Sequence, residues 1–162
     1  MTVGKGAILY AVLLALFIAA QGAINLSAFA PLTGSCWITD FTPTMSDTHC
    51  FEAMYGGAHV RDRHEVKEKG KVVYAGETVY SLDGDSAVFT YFNSLGGIGR
   101  GTVEPSGSTL HFKGSMRGSP DKPSQQIDSE WRIVDDDHYD VRSLVKSAST
   151  AGNAVLHFRR VK

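Results

Sequence analysis

At 162 residues the chain amounts to one domain, with little room for a second. Lys and Arg number 16 against 17 Asp and Glu, a net charge of −1, which excludes the basic bias of a nucleic-acid-binding protein. Hydrophobic residues make up 43% and charged residues 20%, which excludes an acidic, disordered chain.

The first thirty residues stand apart. Lys5 precedes the unbroken apolar run AILYAVLLALFIAA (7–20), and small residues follow at Ala20-Gln21-Gly22 and Ala28-Phe29-Ala30. That is the layout of a secretory signal peptide. Processing after Gly22 is preferred, because cleavage after Ala30 would leave Pro31 at the new N-terminus. A spanning helix needs about 20 apolar residues, and residues 6–24 come close, so an uncleaved anchor is the alternative. The expected division is therefore a signal or anchor helix, 1–30, and an exported domain, 31–162, that is periplasmic or secreted. If uncleaved, residues 6–24 would tether it to the inner membrane. Without residues 1–30 the basic count falls from 16 to 15 against 17 acids, a net charge of −2.

The chain holds 2 cysteines, Cys36 and Cys50. An even count in an exported domain implies a disulfide. Closing so short a loop contributes about 3 kcal/mol in the chain-entropy description. His49 beside Cys50 suggests a catalytic cysteine only superficially, since neighbours on a strand point to opposite faces.

After residue 34 the punctuation is that of an all-β protein. Compact turns such as VKEKGKVV, SLDGDSAV, VEPSGSTL and VDDDHYDV separate β-branched and aromatic runs. The expected strands are 35–42, 48–55, 58–67, 72–82, 86–94, 98–104, 108–115, 127–134, 139–147 and 153–161. Alternation marks their buried sides: Ile127, Ser129, Trp131 and Ile133 oppose Asp128, Glu130 and Arg132, and Leu110 and Phe112 oppose His111 and Lys113. One-sided burial with hairpin-length connections predicts an antiparallel up-and-down barrel of about ten strands.

This layout resembles the calycin group of lipocalins, fatty-acid-binding proteins and related small barrels. Gly34-Ser35-Cys36-Trp37 resembles the lipocalin Gly-x-Trp with one added residue. THCFEAMYGGAHVRDRHEV (48–66) and GETVYSLDGDSAVFTYFNSLGGIGRG (76–101) are similar to stretches of bacterial exported lipocalin-like proteins. The resemblance implies a barrel with a ligand-binding interior. It also implies that Arg160, on the last strand, is placed like the interior arginine that holds a carboxylate in fatty-acid-binding barrels.

Candidate sites sort by strand parity. The glycine run from Gly96 to Gly101 leads into a strand rather than a helix, so it lacks the helix N-terminus of a phosphate loop. Asp135-Asp136-Asp137-His138 lacks the alternation of a calcium loop and reads as a hairpin turn. In residues 58–67, His59 and His64 are five apart and fall on opposite faces, which argues against a shared metal, and no metal site is assigned. His59, Arg61, Arg63 and Glu65 share one face, and Val60, Asp62, His64 and Val66 the other. A two-residue Lys69-Gly70 turn alone would set Asp62 opposite Glu77. A bulge brings Arg61 or Arg63 there instead, which cross-strand charge favours by roughly 0.2–1 kcal/mol.

The resulting expectation is a barrel that binds a small hydrophobic or amphipathic molecule against Tyr80, Tyr91 and Trp131. His64, with Asp62 and Arg160, would meet its polar end. If the strand is inverted, Arg61, Arg63 and Glu77 would form an anion clamp. In the purely structural reading Asp62, His64 and Tyr80 satisfy one another as buried polar groups. The alternatives are an envelope structural or interaction protein with a filled core, or an isomerase, cyclase or hydrolase using His64 as base and Asp62 to orient it. No cofactor is expected, haem being the alternative, and no nucleic-acid partner. The membrane enters only through the N-terminal segment if it is uncleaved.

Overall fold

A computed structural model describes residues 26–145 and 154–162. Of the expected signal or anchor segment, 1–30, residues 1–25 lie outside the described residues. Ten strands follow one another: β1 (Ser35–Thr42), β2 (Met45–Met54), β3 (His59–Glu68), β4 (Lys71–Asp83), β5 (Ser86–Asn93), β6 (Ile98–Ser106), β7 (Thr109–Arg117), β8 (Gln125–Ile133), β9 (His138–Ser143) and β10 (Val155–Arg160). Each pairs antiparallel with its chain neighbour, and β10 returns to β1, so the sheet closes into a barrel. This is the expected architecture. Differences lie at strand ends: β9 stops at Ser143, where the Leu144 amide turns to donate to the Asp128 carbonyl at 2.7 Å.

Closure demands tight curvature on one side, and glycine supplies it. Gly101 and Gly114 face each other across β6 and β7. A Cβ on Gly101 would stand 2.1 Å from the Lys113 carbonyl oxygen, so no other residue allows that approach. The glycine run before β6 is a turn organised by Asn93, whose Oδ1 accepts the Leu95 and Gly97 amides at 2.9 Å each. The aspartate run before β9 is likewise a turn: Asp135 Oδ1 accepts from Asp137 N and His138 Nδ1 at 2.8 Å.

The β3–β4 hairpin has both devices that the charges require. Lys69 and Gly70 take positive φ (49° and 77°) in a two-residue turn, and a bulge between Val66 and Lys67 then shifts the register. Arg63 consequently faces Glu77, and Asp62 faces Thr78.

Apolar side chains fill one end of the barrel. Trp37, Leu110, Tyr139 and Phe158 are at most 2% exposed, and Tyr139 stacks on Phe158 at 4.6 Å. A 3₁₀ turn, Leu26–Phe29, closes this end. Phe29 stacks on Tyr80 at 4.3 Å, and the Trp37 indole N–H donates to the Leu32 carbonyl at 3.1 Å. The packed unit therefore reaches upstream of residue 31, through Leu26 and Phe29. Their apolar character reads in the sequence as the tail of a signal segment, and in the fold it serves the core.

Cys36 and Cys50 face each other in register on β1 and β2 and are joined by a disulfide. Such a bond persists in an oxidising, non-cytoplasmic compartment. Among the described residues no helix is long and apolar enough to cross a membrane.

Candidate functional site

Parity on β2 sends Asp47, His49 and Phe51 inward, and parity on β3 sends Val60, Asp62 and His64 inward. The register sets His49 directly opposite His64 and Phe51 opposite Asp62. Diagonal neighbours across an antiparallel pair lie within reach of long side chains, and here both diagonals are used. His49 Nδ1 donates to Asp62 Oδ2 at 2.7 Å, and His64 Nδ1 donates to Asp47 Oδ1 at 3.2 Å. His49 Nε2 also donates to Asp47 Oδ2 at 3.2 Å. The two imidazoles stack at 4.8 Å.

The network continues outward. His64 Nε2 lies 3.1 Å from the Tyr91 hydroxyl, which is hydrogen-bonded to that of Tyr74. Gly76 sits opposite His64, and a Cβ there would lie 2.4 Å from His64 Nε2 and 2.6 Å from the Tyr91 hydroxyl. Glycine at 76 is what lets the histidine and the tyrosine meet.

These groups are enclosed: Asp62 is 1% exposed and Asp47 7%. Burial alone would lower the His49 pKa. The carboxylates of Asp62 and Asp47 outweigh that and raise it to about 10, so the ring is an imidazolium at neutral pH. Burial works against Asp47 ionising, yet its bonds from His49 and His64 hold it well below the usual carboxylate range. Burial, then the neighbouring Tyr74, pushes the Tyr91 phenol far up.

A cavity of about 210 Å³ adjoins the cluster. Asp62, His64, Tyr80, Tyr91 and Trp131, all expected at the site, line it together. Among the described residues no lysine or arginine lines it. Asp62 Oδ1 is buried on this wall without a hydrogen-bond partner among the described residues, and so is the Tyr139 hydroxyl in the core.

Several expected roles are corrected. Asp62 is bonded to His49 and not to His64, whose carboxylate is Asp47. Arg61, Arg63 and Glu77 stand on the outer face, where Arg61 pairs with Glu52 and Glu77 and Arg63 with Glu52. With Asp62 and His64 facing inward, no anion clamp points into the barrel. Arg160 lies at the closed end, its guanidinium 4.4 Å over the Trp37 ring and bonded to the Pro31 and Asp136 carbonyls and the Ser35 hydroxyl. It joins the two ends of the barrel wall and does not line the cavity.

His49 and Asp47 were missed as site residues. Their signal is the alternation Asp47-x-His49-x-Phe51, obscured because His49 was weighed only against its neighbour Cys50. His59, on the outer face, bonds to Ser81 at 2.7 Å. No protein-family model matches this chain, and no curated protein matches it.

Proposed function

We propose that this chain is an exported, lipocalin-like barrel that holds one compact, partly apolar molecule in its interior, with a hydrogen-bond-donating or cationic group against Asp62. The supporting observation is Asp62 Oδ1, a buried carboxylate oxygen on the cavity wall with no partner among the described residues. Leaving a charged acceptor desolvated and unpaired is costly, so a ligand hydroxyl, amine or amide gains by meeting it. Tyr80, Trp131 and Phe112 supply the apolar walls. Among the described residues no arginine or lysine lines that cavity, which disfavours a carboxylate or phosphate ligand. At about 210 Å³ the cavity is smaller than the roughly 300–1,000 Å³ of drug-sized ligand sites, so the ligand is a small one.

Native mass spectrometry of the full chain, purified from its own envelope or secreted fraction after chelation, tests this. The expected spectrum shows an added organic mass that Asp62→Asn removes. Bare protein in every preparation would instead support the filled-core structural role.

A further inference from the structure

We propose that Asp47, His49 and His64 bind one divalent transition-metal ion of the zinc or copper class, with an open coordination position toward the cavity. Their donor atoms all lie within 4.8 Å of one another. The two contacts to Asp47, from His49 Nε2 and His64 Nδ1, are each 3.2 Å. Charge-assisted hydrogen bonds to carboxylates are usually about 2.7–2.9 Å. Metal–ligand bonds of about 2.0–2.1 Å at tetrahedral angles give edges of about 3.3 Å between ligand atoms. The two imidazole–carboxylate contacts, one to each oxygen of Asp47, thus have about the edge length of a coordination shell, and the three donors together span no more than 4.8 Å, which an ion would draw in.

The surroundings agree. Asp62 accepts from Nδ1 of His49 at 2.7 Å, so Nε2 faces the shared centre and ligates once it, like Nδ1 of His64, releases to solvent the proton it gives to Asp47. A carboxylate on the far nitrogen is the usual way a metal-bound imidazole is oriented. Asp62 lines the cavity and Asp47 is buried beside it against both imidazoles, and among the described residues no lysine or arginine lines the cavity, so a cation suits the charge there. Two imidazoles and one carboxylate favour borderline transition metals over calcium or magnesium. The donors sit on adjacent, hydrogen-bonded strands, and the disulfide at Cys50 pins the strand that carries two of them. His49 and His64 line the cavity, so an ion between them would present its free position there. Asp62 keeps Oδ1 for another group. The His59–His64 pairing considered from sequence is not this site; His49 is the second imidazole.

The inference goes beyond small-molecule binding, since the ion needs no organic ligand. It is tested on the full chain, stripped with a chelator and titrated with Zn²⁺ alone by calorimetry, with the bound metal counted by elemental analysis. One ion per chain is expected, and X-ray absorption of the zinc-loaded wild type should show two imidazoles and a carboxylate. His64→Gln should abolish binding. Asp62→Asn should weaken it about 10–100-fold. His111→Gln, in an outward-facing pair with Asp128, should leave it unchanged. No stoichiometric zinc on folded wild type, affinity unmoved by His64→Gln, or a spectrum without two imidazoles would each overturn the site. If His64→Gln does not fold, the wild-type spectrum decides. Failure of this titration leaves the organic mass found after chelation intact, and the reverse holds equally.

Discussion

Strand β3 carries an ionic cluster on each of its faces. Outside, Arg61 and Arg63 meet Glu52 and Glu77 with side chains 30% to 57% exposed. Inside, Asp62 and His64 meet His49 and Asp47 with side chains no more than 13% exposed. The composition is similar and the physics is not. The outer charges remain in water, where ion pairs are screened and contribute about 0–1 kcal/mol each. The inner ones depend on each other completely, because removing one partner strands the rest in a medium that cannot solvate them. The same strand therefore offers scaffolding on one side and chemistry on the other.

The sharpest way to break this contrast is His49→Ala. It takes the imidazolium from between two buried carboxylates and should cost about 3–5 kcal/mol in urea unfolding of the chelated protein. An inner substitution that behaved like an outer one would refute the asymmetry. Next comes loss of the disulfide that anchors β2: Cys36→Ser with Cys50→Ser should cost about 3 kcal/mol. Gly76→Ala should cost about 1–3 kcal/mol, because its methyl must displace His64 or Tyr91, and should change the tyrosine absorbance.

A pH series separates the faces without mutation. The folded pKa of His49 is raised from 6.5 to about 10, so its contribution is complete below 6.5 and is lost as pH rises through 10. Asp47 is lowered from 3.8, so its contribution is complete above 3.8 and is lost as pH falls below it. The melting temperature of chelated protein should be highest between those limits, and His49→Ala should remove the alkaline fall. The smallest effect is expected of Arg63→Ala: under about 1 kcal/mol, shrinking further in added salt.

Alternation and turn chemistry made the ten strands legible, and the charge of Glu77 favoured a shifted β3–β4 register with Arg61 or Arg63 opposite it, which the bulge supplies with Arg63. The inner cluster was half legible. Parity set Asp62 and His64 on one face, but their partners depend on how β2 pairs with β3. That register is set by Tyr55, Gly56 and Gly57, all at positive φ (51°, 70° and 93°), and not by a standard two-residue hairpin. Without it, the His49–Asp62 and His64–Asp47 diagonals could not be drawn. The Leu26–Phe29 turn was hidden for another reason: apolar residues that cap a barrel have the same composition as the end of an export signal.

The wall closes at its shortest seam. Among the described residues β1 and β10 pair through Trp37–Arg160 and Ile38–Arg159, with the Val161 amide donating to the Cys36 carbonyl at 2.8 Å and the Arg160 side chain fastening the join. This has a consequence in time. A chain that folds from its N-terminus exposes the free edge of β1 until the final strand arrives, and an unpaired edge invites association with other chains. Closure is then a long-range event, and such events are slow. Once formed, the seam is where the barrel opens first. The amides of β10 should exchange with solvent ahead of those of β3, which is paired along its length with both β2 and β4.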